Sequence, residues 1–219
     1  MYNITFLSSC HIEIGYCNSM ELYKIIDKIS PDVIFEELDE ESYNDHYGQQ
    51  GPYSTETKAI YMYLQYNNIK HIPVDTYDMK NFSKDDKIYM DSIISDNNIE
   101  YRNLLETQMK LLYFYGYNFL NSEECSALIL KLQKIEKTVQ EQLSDDKLKN
   151  IYKLWIEVND KREHEMIKNL YKYCRDNTFN NGILITGADH RNSLIKIIQN
   201  YSDDDINIKW DYWKNYSCN

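Results

Sequence analysis

Ile183-Leu184-Ile185-Thr186-Gly187-Ala188-Asp189-His190 is the stretch on which the fold class turns. Its four leading residues are too short a run for a helix and too apolar for a loop, so they read as a buried strand. Gly187 opens a bend, and Leu194, Ile197 and Ile198 then recur at helical spacing. The other end of the chain has the same grammar. Ile4-Thr5-Phe6-Leu7 runs into Ser8-Ser9-Cys10-His11, and Leu22, Ile25, Ile26 and Ile29 follow at helical spacing from Ser19, which reads as the N-cap.

Working outward, Pro31-Asp32 stops that first helix, and Val33-Ile34-Phe35 forms a second buried strand that delivers Glu36 and Glu37 at its C-terminal end. A polar loop with Gly48, Gly51 and Pro52 leads to a helix from about Thr55 to Tyr66, and Ile69 to Val74 is a third strand ending in Asp75. This β-α-β-α-β alternation predicts a parallel sheet with right-handed crossovers. From about Ser83 to Asp176 no strand run interrupts segments rich in Leu, Ile, Lys, Glu and Gln, so several helices are expected. Breaks fall near Asp96-Asn97-Asn98, near Gly116 to Ser122 and near Ser144-Asp145-Asp146, with Ser144 capping a last helix over Asp146 to Cys174. Asn180-Asn181-Gly182 reads as a turn, and Ile206 to Trp210 alternates as an edge strand. The expectation is therefore one α/β domain, 1–219, with a mainly parallel central sheet and flanking helices. A large all-helical insertion, about 83–176, separates sheet halves 1–80 and 178–219. That helical middle offers a lid or the surface of a homodimer.

Composition narrows the function classes. With 42% hydrophobic and 14% aromatic residues, 219 residues bury one substantial core. The charge of -11, from 35 acidic against 24 basic residues, repels a phosphate backbone, so nucleic acid is not an expected partner. No export signal is legible, and no window approaches the roughly 18 apolar residues of a membrane span, so a cytoplasmic location with no membrane partner is expected. Five scattered cysteines without a C-x-x-C pair argue for reduced thiols and against a disulfide framework or zinc knuckle. Cys10 beside His11 lacks the signature of a thiol nucleophile. The Tyr-rich stretches 61–66 and 113–117 read as core or as the wall of a cleft.

Ionisable residues gather at strand ends: His11, then Glu36 and Glu37, then Asp75, then His190. In parallel α/β sheets ligands bind outside the carboxyl ends of the strands, so these residues can converge. Two histidines and a carboxylate, here His11, Glu37 and His190, can hold a divalent ion such as Mn, Co or Zn with a position open for water, or run acid–base chemistry without one. Glu13, Asp75, Gly187 and Asp189 are candidate substrate contacts, and the bend at His190 suits an anionic ligand. Strand alternation turns only one of Glu36 and Glu37 into a given face.

Four motifs occur in order: Ser8-Ser9-Cys10-His11, Pro31-Asp32-Val33-Ile34-Phe35-Glu36-Glu37-Leu38, Arg162-Glu163-His164-Glu165-Met166 and Gly187-Ala188-Asp189-His190. Together they resemble the TraB/PrgY and Tiki superfamily, to which erythromycin esterase and the haem-binding ChaN proteins are related. The second Gly-x-x-His motif and the Arg-acid-x-x-Met pattern are intact, while Ser8 stands where the family has Gly. The resemblance implies a hydrolase that cleaves an ester, amide or related bond of a small molecule or peptide. It implies catalytic roles for His11, Glu36 or Glu37, Arg162, Glu163 and His190, with Glu37 favoured as the acid before Leu. Arg162 is implied to be buried and to steady a developing anion; His164 and its neighbours otherwise read as a solvated helix face. Members of the family differ over metal use. The other reading is a protein that binds or sequesters a small ligand in the same cleft without turnover.

Overall fold

The computed structural model describes residues 1–48, 51–76, 82–201, 203 and 206–214. Five strands, β1 (Tyr2–Ser9), β2 (Val33–Glu36), β3 (Lys70–Pro73), β4 (Asn181–Gly187) and β5 (Ile208–Tyr212), form one all-parallel sheet in the order β3-β2-β4-β1-β5. The late strand β4 slots between the two early ones, with Ser9 beside Gly187 and Glu36 beside Ile185. That register brings the carboxyl ends of β1, β2 and β4 to one rim.

The uninterrupted apolar runs are explained by burial of both sheet faces. Ile4, Phe6, Val33, Phe35 and Leu184 pack on one face with Met166, Ile167, Leu170 and Leu194, while Leu7, Ile34, Ile183 and Ile185 pack on the other with Leu22, Ile26 and Ile60. The split follows the two-residue period of a strand, and each such side chain contributes about 1.5–3 kcal/mol over leaving it in water. The helices are α1 (Ser19–Ile29), α2 (Glu40–Tyr47), α3 (Thr55–Leu64), α4 (Lys84–Asn97), α5 (Ile99–Tyr115), α6 (Tyr117–Leu120), α7 (Glu123–Gln142), α8 (Asp146–Asp176) and α9 (Arg191–Asn200). Helices α4 to α8 lie between β3 and β4 in the chain. Among the described residues, no helix is long and apolar enough to cross a membrane.

Local chemistry shifts several boundaries. Asn18, not Ser19, caps α1 by accepting from the Glu21 amide, and Asp145, not Ser144, caps α8 through the Leu148 amide. The stretch before Gly48 is not a loop: α2 forms there, with Asp39 accepting from the Ser42 amide. Asn181 and Gly182 belong to β4 rather than to a turn, and the Asp32 carboxylate accepts from the Asn180 and Asn181 amides at 2.9 and 2.8 Å, joining the starts of β2 and β4.

Two glycines fix the segment that follows β1. Gly15 and Gly116 both have positive φ, 52° and 50°, and a Cβ on either would lie 2.1–2.3 Å from a backbone oxygen of the other strand of chain, Tyr113 O or Tyr16 O. The Tyr16 amide donates to Tyr113 O at 3.0 Å across this contact. The loop that carries His11 is thereby pressed onto the end of α5.

Candidate functional site

A cavity of about 230 Å³ opens at the carboxyl rim of the sheet. One wall is formed by Asp75, Arg162 and Glu37, the near end of a buried chain of alternating charges that continues behind the lining to His190 and Glu163. Arg162, a mid-helix residue of α8, donates through Nε and Nη2 to Asp75 at 3.0 and 2.6 Å and through Nη2 to Glu37 Oε1 at 2.7 Å. His190 sets Nε2 3.2 Å from Glu37 Oε1, and its Nδ1 is 2.8 Å from Glu163 Oε1. The Gly187 amide donates to Glu37 Oε2 at 2.7 Å. Helical phase explains why α8 supplies this wall: Arg162, Glu163, Met166, Ile167 and Leu170 are buried on one stripe, while Lys161, His164 and Lys168 are exposed.

The mutual charges fix the protonation states. Burial opposes charge on Glu37, but the charge of His190, its contact and Arg162 hold the carboxyl well below the usual range. Burial likewise opposes the imidazolium of His190, yet Glu37 and Glu163 push its pKa up to about 10. Arg162, despite burial, is raised by Asp75 and Glu37.

The facing wall is built differently. His11, 66% exposed at its side chain, sets Nδ1 3.3 Å from Glu56 Oε1 in ion-pair rather than hydrogen-bond geometry. Glu56 is 4% exposed, and neither of its carboxylate oxygens has a hydrogen-bond partner. Contact with Glu56 is the main cause that lifts the His11 pKa to about 9, helped by the charge of Glu37. The pair is positioned by backbone: the Thr55 amide donates to His11 O at 3.2 Å, and a Ser54–Thr57 capping box fixes the first turn of α3, where an acid suits the helix N-terminus.

The two walls meet over Gly187. A Cβ placed there would lie 3.4 Å from Glu37 Oε2, 3.8 Å from His11 Nε2 and 3.8 Å from His190 Cδ2. His11 and His190, 179 positions apart in the chain, thus border one small space because β1 and β4 are neighbours.

Glu36 also lines the cavity, on the side of the stacked rings of His46 and Tyr53. Its Oε2 is 2.7 Å from His71 Nε2 and accepts from Tyr47 OH at 2.9 Å, while its Oε1 has no hydrogen-bond partner. The expectation that only one of Glu36 and Glu37 faces the cleft is therefore corrected. The strand ends at Glu36, and the Leu38 amide donates to Glu36 O at 2.8 Å, so the chain turns and alternation no longer governs Glu37.

Of the other sequence candidates, Asp75 and Gly187 line the cavity, with Asp75 engaged by Arg162. Glu13 and Asp189 do not: Glu13 accepts from Ser19 Oγ at 2.5 Å at the start of α1, and Asp189 is exposed on the short turn before α9. The tyrosine that lines the cavity is Tyr53, outside the two Tyr-rich stretches, of which Tyr63 and Tyr117 belong to the core. Sequence reasoning missed Glu56, His46, Tyr53 and His71. Glu56 had no distinguishing signal, since an acid in a helix's first turn is ordinary.

The trio His11, Glu37 and His190 does not fit a divalent ion as arranged. Among the described residues, no three His, Cys, Asp or Glu side chains are disposed to hold a metal. The reason is chemical: a metal needs neutral imidazole nitrogens and a free carboxylate edge. Here His11 Nδ1 lies against Glu56, His190 faces a carboxylate from each nitrogen, and Glu37 is held by Arg162 and the Gly187 amide. No protein-family model, curated protein or solved structure matches the chain.

Proposed function

We propose that this chain is a hydrolase of the TraB/Tiki/erythromycin-esterase kind, cleaving an ester, amide or related bond of a small molecule or peptide. One observation carries the reading: His11, held from behind by the buried Glu56, opens Nε2 onto the space over Gly187 that it shares with Glu37 Oε2. A carboxylate behind one ring nitrogen fixes the imidazole and leaves the other nitrogen for a water or a leaving group. In this scheme neutral His11 takes a proton from water poised over Gly187 and the water oxygen adds to the substrate carbonyl carbon; the bond from that carbon to the leaving oxygen or nitrogen then breaks as the imidazolium returns the proton to it. Arg162 acts through Glu37. Its fork is already engaged by Asp75 and Glu37, so its work is to hold that carboxylate in place rather than to meet the developing anion directly.

A binding protein without turnover is favoured by a different observation, that the charges of the Arg162 wall satisfy one another. Incubation of the purified protein with a panel of chromogenic esters and anilides and with a metabolite extract separates the two. The hydrolase reading expects at least one species to be consumed by the parent and spared by His11→Ala. Binding of a species without its consumption, or consumption unchanged in His11→Ala, overturns it.

A further inference from the structure

The loop that carries His11 also holds two thiols. Cys10, half-buried just past β1, and Cys17, fully buried, place their sulfurs 2.7 Å apart, inside the separation at which non-bonded sulfurs touch. Only a small adjustment separates that geometry from the about 2.05 Å of a disulfide. The backbone keeps the pair in register: Ile14 and Cys17 exchange both amide bonds, at 2.7 and 2.8 Å, and Gly15 and Tyr16 are pressed against Tyr113. Cys125 and Cys174 are buried in α7 and α8, and Cys218 lies outside the described residues.

We propose that Cys10 and Cys17 are a reactive dithiol that closes reversibly to an intrachain disulfide and clamps the loop bearing His11. The spacing of the five cysteines argues against a structural framework, and a single transient pair is the form disulfides usually take where thiols are otherwise kept reduced. Cys10 is the attacking sulfur, being the accessible one; the contact with Cys17 also lowers its pKa. The oxidant is a low-molecular-mass disulfide. The Cys10 thiolate attacks one of its sulfurs, its S–S bond breaks, and one thiolate leaves. Cys17 then attacks the Cys10 sulfur of the mixed disulfide, its proton passing to solvent, and expels the second thiolate. Two protein thiols are oxidised and one disulfide is reduced to two thiols.

Disulfide formation is read from mass alone, so this inference stands apart from the hydrolase reading. The full-length protein is equilibrated at neutral pH in glutathione buffers of stepped oxidation, then alkylated and peptide-mapped. The parent should lose the mass of two hydrogens, the map should join the Cys10 and Cys17 peptides, and dithiothreitol should reverse it. Cys17→Ser should stop at glutathione on Cys10, and Cys10→Ser should leave Cys17 as a thiol. Both thiols intact in fully oxidised buffer, or a bridge to a different cysteine, overturns the proposal. If Cys17→Ser does not fold, the map of the parent decides alone.

Discussion

The two walls of the cavity hold similar residues in opposite states. On the Arg162 wall three carboxylates alternate with two cations, and every charge faces an opposite one within 3.2 Å. On the His11 wall a single exposed imidazole leans on a buried carboxylate that has no hydrogen bond. A satisfied buried network resists change and specifies geometry, whereas an unsatisfied buried acceptor beside a mobile proton is poised for reaction. Under the proposed function, stability falls to one wall and chemistry to the other, and substitutions on each should act in different assays.

The largest effect belongs to Arg162→Ala. Removing the guanidinium leaves Asp75 and Glu37 buried beside one another without their shared partner, at a cost of about 3–5 kcal/mol. Chemical denaturation should record that loss, while Lys161→Ala, on the exposed neighbour, should cost no more than about 1 kcal/mol. An Arg162→Ala protein as stable as its parent would remove the distinction between the walls. His11→Ala should act mainly on chemistry: it should lower turnover of whatever substrate is found by about 10²–10⁴. It removes the partner of the buried Glu56, so the denaturation midpoint should also fall, but by less than in Arg162→Ala because the ring is largely exposed.

Titration sharpens the same division. His190 has a folded pKa of about 10 against an ordinary 6.5, so its contribution to stability is complete below about 6.5 and is lost as pH rises through about 10. Glu37 is shifted the other way, so its contribution is present above about 4.5 and is lost as pH falls below that. Denaturation across pH should therefore show the most stable range between these limits, and His190→Gln should flatten the alkaline side. On the other wall the base form of His11 grows up to about 9, so hydrolysis should rise with pH and level off there. Glu56→Gln should move that break down toward 6.5, the ordinary histidine value. A break that stays in place would exclude His11 as the base.

Strands and helices were legible where burial imposes a period, and the reason shows in the failures. Val33-Ile34-Phe35 and Ile183-Leu184-Ile185 announce strands because both faces are covered. Residues 40–47 form α2 without announcing it, since their polar sequence has no apolar stripe and His46 is the one buried residue in the helix. The breaks expected near 98, 116–122 and 145 coincide with the caps Asn98, Gly116, Ser122 and Asp145, because capping is local chemistry. The insertion of β4 between β1 and β2 is not local, and no residue in either strand encodes it. Within the site, His11, Glu37, Asp75 and His190 were readable as strand-end residues, and Arg162 with Glu163 through the motif resemblance. Glu56 comes from a helix start and Tyr53 from a loop, and the tie between the Thr55 amide and His11 O, a long-range contact, holds that helix start beside His11.

The smallest change with a decisive outcome is Gly187→Ala. Glycine is usually required by a positive φ or by a backbone too close for a methyl group, and neither applies here. Gly187 has φ -57°, and its added Cβ would meet Glu37 Oε2 at 3.4 Å and the two histidines at 3.8 Å, ordinary contact distances. Stability should accordingly hold or rise by about 0.4–1 kcal/mol, through the reduced freedom of the unfolded chain. The methyl group would nonetheless occupy the space bordered by His11 and Glu37, which the proposed mechanism reserves for water. Turnover should fall steeply in a protein that melts no earlier than its parent, with no change in the His190–Glu163 contact. If Gly187→Ala retains full activity, water does not sit over Gly187, and the reacting centre lies instead toward Glu36 and the stacked His46 and Tyr53 rings.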